Sequence, residues 1–192
     1  TFTLTVNAVN DDPILSAIGA QLTSEDTDKT INLSASDVDI ATNSQTLAFS
    51  ASSSDETLVT VSTTTTGTSG TLTFDVQAEQ NGTAAITVTV TDSEGGTDSE
   101  TFTLTVTAVN DNPILSAIGN QSTSEDTDKT INLSASDVDI ATNSQTLIFS
   151  AESSDDTLVT VSTTTDGTLG TLTFDVQDEQ NGTAEITLTV TD

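Results

Sequence analysis

The sequence predicts an all-β protein built as tandem seven-stranded immunoglobulin-like antiparallel β-sandwiches, and three observations carry that prediction. Apolar residues alternate with polar ones at period two through most of the chain, the pattern of half-buried strands, and helical periodicity is not seen. Turn-forming residues punctuate the alternation at Thr66-Gly67-Thr68, Asn81-Gly82 and Glu94-Gly95-Gly96. Residues 101–192 repeat residues 1–92 without a gap, and only 12 of the 92 positions differ, so whatever one unit folds into, the other does too.

Taken in order, a unit opens with an irregular strand near Ile14–Thr23. Lys29–Ala35 points Ile31, Leu33 and Ala35 to one face; Leu47, Phe49 and Ala51 follow, then Val59 and Val61, then Leu72, Phe74 and Val76. Ile86, Val88 and Val90 form the sixth strand and Phe102, Leu104 and Val106 the seventh. Thr, the commonest residue, fills the alternate positions, where a β-branched side chain suits the pleat and its hydroxyl meets water. All six Phe fall on inward positions of this alternation. Seven short strands in about 100 residues match a sandwich. The expected organisation is residues 1–9 as the closing strand of a preceding repeat, 10–109 as repeat 1, and 110–192 as repeat 2 without its last strand. The first and last of these follow from Thr1–Val6, TFTLTV, duplicating Thr101–Val106, which closes repeat 1.

Composition removes most catalytic chemistry. The 192 residues hold 30 acids against 2 basic side chains, a net charge of −28, with no Cys, His, Met, Trp or Tyr. No thiolate, imidazole or zinc site of the usual ligand types can be built, so an enzyme is not expected. The charge repels nucleic-acid phosphates and anionic lipid headgroups, and no apolar run long enough to insert directly in a membrane is present. Cations are the natural partners.

The acids are concentrated in the connections. Asn10-Asp11-Asp12-Pro13 recurs as Asn110-Asp111-Asn112-Pro113, Ser24-Glu25-Asp26 as Ser124-Glu125-Asp126, and Asp37-Val38-Asp39 with Asn43 as Asp137, Asp139 and Asn143. Glu79 and Asp92 flank the sixth strand, with Glu179 and Asp192 as counterparts. A hard divalent cation takes six to eight oxygen ligands, and alternate acids in a loop can close around one. An EF-hand is excluded: counted from Asp37, Thr42 stands where Gly is required and Ala48 where the bidentate Glu belongs.

Together these clusters resemble the cadherin family, and more closely the cadherin-like tandem repeats of bacterial surface adhesins, over essentially the whole chain. Ala108-Val109-Asn110-Asp111-Asn112-Pro113 is similar to the cadherin linker motif, Asp137-Val138-Asp139 to its Asp-x-Asp loop, Glu79 to the Glu of its Leu-Asp-Arg-Glu motif, Asp92 and Asp192 to its Ala-x-Asp, and Glu25 to its early Glu. The resemblance implies a Ca2+ cluster drawn from Glu25, Glu79, Asn110, Asp111, Asn112, Asp137, Asp139 and Asp192, with Asn143 adding a carbonyl. By the same token Asn10, Asp11, Asp12, Asp37, Asp39, Asn43 and Asp92 are half of a second site, and Glu125 and Glu179 half of a third, each completed by neighbouring repeats or identical subunits. Ala108 and Gln77 stand where the family has Asp, which leaves two well-held ions and a third open. Like charges about 6 Å apart cost on the order of 1–3 kcal/mol per pair at effective dielectric constants of about 20–60, so such clusters repel when empty and cohere when filled.

The function so implied is a calcium-rigidified spacer of a long extracellular bacterial adhesin or surface fibre, secreted to the cell surface. Two alternatives stay open: a self-assembling filament subunit joined by strand donation through Thr1–Val6, and an adhesive module for homophilic or glycan contact. The acids also fit a solvated acidic surface. A glycosidase pair fits poorly, since no aromatic platform for sugar exists. Asn32-Leu33-Ser34 and Asn81-Gly82-Thr83 match glycosylation sequons, a pattern common by chance in so Thr-rich a chain.

Overall fold

A computed structural model describes residues 1–192, apart from the side chains of Thr142 and Asn143. The chain divides into two compact units, Thr1–Val109 and Asn110–Asp192. The first contains β1 (Ile14–Leu15), β2 (Gln21–Ser24), β3 (Lys29–Ser36), α1 (Asp39–Asn43), β4 (Leu47–Ser53), β5 (Val59–Thr66), β6 (Ser69–Val76), β7 (Gly82–Asp92) and β8 (Thr97–Thr107). The second contains β9 (Ile114–Leu115), β10 (Lys129–Ser136), α2 (Asp139–Asn143), β11 (Ile148–Ser153), β12 (Val159–Asp166), β13 (Leu169–Val176) and β14 (Ile186–Thr191).

In unit 1 a sheet of order β1-β3-β6-β5 faces one of order β2-β8-β7-β4. Each inward alternate residue joins a single core in which Val59, Leu72, Phe74, Ile86, Val88, Val90 and Leu104 are fully buried. Phe74 meets Phe102 edge to face, ring centroids 6.3 Å apart, an arrangement favoured by the ring quadrupoles. The expected first strand is two: β1 pairs with β3 in one sheet, and β2 crosses to the other. There β2 runs parallel to β8, the exception in a sandwich whose remaining pairs are antiparallel.

Several expectations are refined. Five of the six Phe lie inward, but Phe2 is 95% exposed, because residues 1–9 form no strand and lie exposed. The threonines do more than face water. Thr30 with Thr73, Thr64 with Thr71, and Thr87 with Thr101 pair their hydroxyls across strands at 2.7–3.0 Å, each such pair contributing about 0.2–1 kcal/mol. Thr63 Oγ1 donates to the Phe49 carbonyl and Thr65 Oγ1 accepts from the Phe49 N–H, tying β4 to β5 of the facing sheet. The short helices had no periodic signal, since a single turn is too brief to show one. α1 forms because Asp37 Oδ1 accepts the Asp39 N–H at 2.7 Å, folding the backbone over at its start.

Unit 2 repeats the β12-β13-β10-β9 sheet, while its other sheet is the pair β11-β14. Its core holds Leu133, Leu147, Phe149, Leu172 and Phe174, with Ile186, Leu188 and Val190 of β14 only partly buried. Among the described residues no helix is long and apolar enough to cross a membrane.

Candidate metal centre

At one end of unit 1, three acidic connections converge: the entry segment at residues 10–12, the loop from Asp37 into α1, and the β7–β8 turn. The Asp11 N–H donates to Asp39 Oδ2 at 2.8 Å, while Asn43 Nδ2 donates to Asp39 Oδ1 at 2.8 Å, which lets Asp39 sit buried with both oxygens engaged. Asn10 Nδ2 donates to Asp92 Oδ2 at 3.0 Å, and Asp92 Oδ1 accepts the Glu94 and Gly96 N–H groups. The Asn10 hydrogen bond chiefly, with the backbone bonds from Gly96, Glu94 and Gly95, holds the Asp92 carboxyl below the usual carboxylate range, against the opposing effect of burial. A Cβ on Gly96 would stand 2.5 Å from both Asp12 Oδ1 and Asp92 Oδ2, so these two carboxylates crowd the same point beside the turn.

Unit 2 builds much of the same end. The Asp111 N–H donates to Asp139 Oδ2 at 2.7 Å and the Asp139 N–H to Asp137 Oδ1 at 2.8 Å, and Asp139 is fully buried. It differs at Asn110, whose Nδ2 donates to the Asp111 carbonyl, and at Asp192, which is exposed. The residues corresponding to Glu94 and Gly96 fall outside 110–192. Asn112 is exposed, and Asn143 lies outside the described residues.

The opposite end of unit 1 carries Glu25, Asp26 and Glu79. Glu25 is 1% exposed; its Oε1 accepts the Val109 N–H at 2.6 Å and its Oε2 the Asn81 amide at 3.4 Å. Asp26 and Glu79 both adopt left-handed backbone, and Asp26 Oδ1 accepts the Glu79 N–H at 3.1 Å. In unit 2 Glu125 and Glu179 are exposed, the Glu179 N–H donating to Asp126 Oδ1.

Sequence reasoning missed Gln45 and Gln145. Each donates its Nε2 to the preceding Asn Oδ1, Asn10 or Asn110, and each keeps its own Oε1 buried with no hydrogen-bond partner. No sequence signal marks a glutamine after a helical turn as interior. Asp37 Oδ2, Asp137 Oδ2 and Asp111 Oδ2 are buried in the same partnerless state. A buried oxygen without a donor is costly, and a carboxylate oxygen more so. The two cations are employed elsewhere, Lys29 on the Leu22 carbonyl and Lys129 on that of Ser122. The donor set is oxygen throughout, from carboxylates and amides, the chemistry a hard cation such as calcium requires. The residues therefore fit the ion that the sequence implies.

The family model for the bacterial Ig domain matches residues 10–105. The chain belongs to the bacterial Ig domain family. Its all-β sandwich is the Ig-like fold, whose families are in the main structural modules without catalysis. No curated protein matches this bacterial Ig domain chain. Among solved structures it is similar to extracellular cadherin domains 1–4 of protocadherin gamma B7, at 15% identity and a TM-score of 0.50, over 94% of this chain and 49% of that one. Titin domains z1z2 in complex with telethonin are similar at 12% identity and a TM-score of 0.43, over 94% and 95%. Domains 1–6 of the surface layer protein SbsC follow at 18% identity and 0.39, over 98% and 23%. The chain thus spans about half the protocadherin chain and about a quarter of the surface-layer one.

Proposed function

We propose that these bacterial Ig domains are calcium-stiffened spacer repeats of a long extracellular surface protein. The observation that carries the reading is the partnerless buried oxygen at Asp37 and again at Asp137, each beside an entry segment pinned through Asp39 or Asp139. Asp11, Asp12, Asp37, Asp39 and Asp92 with the amides of Asn10 and Gln45 would hold the ion in unit 1; Asp111, Asp137 and Asp139 with Asn110 and Gln145 would hold it in unit 2. Bound calcium supplies the positive charge that this gathering of anions lacks. The protein's own share is to pin residues 10–13 and 110–113, through which each unit is entered. A fixed entry segment restricts how a repeat can swing on its neighbour, which is what a spacer holding a distant tip away from a cell needs. Near-identity of the two copies supports a structural part over two specialised sites.

The test is thermal melting with calcium and with a chelator, on the native chain and on an Asp37→Asn, Asp137→Asn double variant. Asn retains the Oδ1 that accepts the Asp39 or Asp139 N–H and removes only the charge at Oδ2. Calcium at 100–1,000 times its dissociation constant should stabilise the native chain by about 2.7–4 kcal/mol per linked site. The variant should lose most of that gain while melting no lower than the native chain in chelator. A native chain indifferent to calcium, or a variant that responds fully, overturns the reading.

A further inference from the structure

Among the acids of unit 1 that the proposed ion site leaves unused, Glu25 is the most deeply buried. It directly follows β2, whose parallel ladder with β8 ends at Ser24 and Thr107. Two bonds carry that pairing one step further: the Glu25 N–H donates to the Thr107 carbonyl at 3.0 Å, and the Thr107 hydroxyl donates to the Thr23 carbonyl at 3.3 Å. Beyond Thr107 the chain belongs to no strand, and Val109 is 42% exposed. The Val109 N–H nevertheless donates to Glu25 Oε1 at 2.6 Å, the short separation of a charge-assisted bond. From the β6–β7 connection Asn81 Nδ2 reaches Glu25 Oε2 at 3.4 Å, so each oxygen of this carboxylate has a donor.

A carboxylate buried this deeply is tolerated where donors replace the water it has lost, and away from water each such bond is stronger. Asp37 of the same unit is in the opposite state, its Oδ2 buried with no donor. A cation can fill that gap; at Glu25 the chain's own N–H groups already do. The entry to the unit is held in the same way, by the Asp11 N–H on the buried Asp39. We infer that Glu25 is the positioning residue for the exit of unit 1, tying residues 108–109 to the end of β2 through the Val109 N–H and needing no ion to do so. Glu25 acts by accepting this bond and not by ligating calcium. Its partners lie 84 residues apart in sequence, so the bond fixes the exit against the sandwich and not merely against its own neighbours. The tie is independent of the calcium reading, because it is complete without metal.

Amide hydrogen exchange resolved by residue, on the whole chain in chelator, tests this with the native protein, Glu25→Met and Glu25→Gln. Met keeps the length and tolerates burial but removes the acceptor; Gln keeps an acceptor at Oε1 without the charge. The native Val109 amide should exchange slowly although it lies outside every strand. Glu25→Met should speed that exchange by at least about tenfold, the equilibrium shift expected from losing a hydrogen bond to a charged group. The Val88 and Val90 amides of β7 should keep their protection, showing the sandwich intact, and Glu25→Gln should restore much of the protection at Val109. In calcium, Glu25→Gln should melt with the same gain over chelator as the native chain, unlike the Asp37→Asn, Asp137→Asn variant. A native Val109 amide that exchanges freely in chelator overturns the inference, as does one that stays protected in Glu25→Met. A calcium gain lost from Glu25→Gln also overturns it, by making Glu25 an ion ligand. Should the native chain ignore calcium, the spacer reading alone falls and the exchange rates at Val109 still decide the role of Glu25.

Discussion

Asp55 shows how single side chains set the turns. Its Oδ1 accepts the Thr57 hydroxyl at 2.6 Å, the Thr57 N–H at 2.9 Å and the Leu58 N–H, and Asp155 repeats the Thr57 bonds with Thr157. These donors, the Thr hydroxyl first, hold both carboxyls below their ordinary 3.8. A carboxyl depressed in the folded state stabilises it fully above the unfolded value, and that contribution is lost as pH falls through the folded one. Melting temperature should therefore decline as pH drops below about 3.8, and Asp55→Ser with Asp155→Ser, which keep an oxygen acceptor without the titration, should flatten that acid limb. An acid limb unchanged by the pair would remove these two residues from the account. At this scale the sequence was only partly readable. The clustered Asp residues stood out, whereas the buried Gln45, whose Oε1 has no hydrogen-bond partner, and the glycine at 96 became meaningful only when chain segments more than 30 residues apart were brought together.

At the scale of the element, alternation found every long strand, since burial on one face of a pleat leaves a period of two and nothing else in this chain competes with it. What it could not find were features decided by the facing layer. The crossing of the first strand between sheets depends on β8 offering an edge to β2, and α1 is one turn held by Asp37. Gly70 belongs here as well. It lies opposite Thr65 in the β5–β6 ladder, and a Cβ there would meet the Thr64 carbonyl at 2.1 Å and the Phe49 ring at 2.8 Å. Backbone and a packed aromatic cannot give way as a loose side chain would, so Gly70→Ala should cost on the order of 1–3 kcal/mol in a denaturant melt. Gly119→Ala, with open space around it, should change stability little. Equal effects at the two positions would mean that the Phe49 contact does not constrain the strand.

For the molecule as a whole, a net charge of −28 over 192 residues is the dominant long-range fact. Self-repulsion of that size opposes the compact state and is screened within about 10 Å at 0.1 M salt. Raising sodium chloride from about 0.01 M to about 0.3 M should therefore raise the melting temperature even with chelator present; a flat response would show that the anions are neutralised locally. One feature of unit 1 has a bearing on how a string of such repeats answers tension. β2 and β8 lie side by side in the same direction, with rungs from Gln21 and Leu104 to Ser24 and Thr107. A pull on the chain ahead of Pro13 and beyond Thr107 drags these neighbours past each other lengthwise. Their rungs then share the force and must rupture as a group, whereas a hairpin tugged at its open end peels one rung at a time.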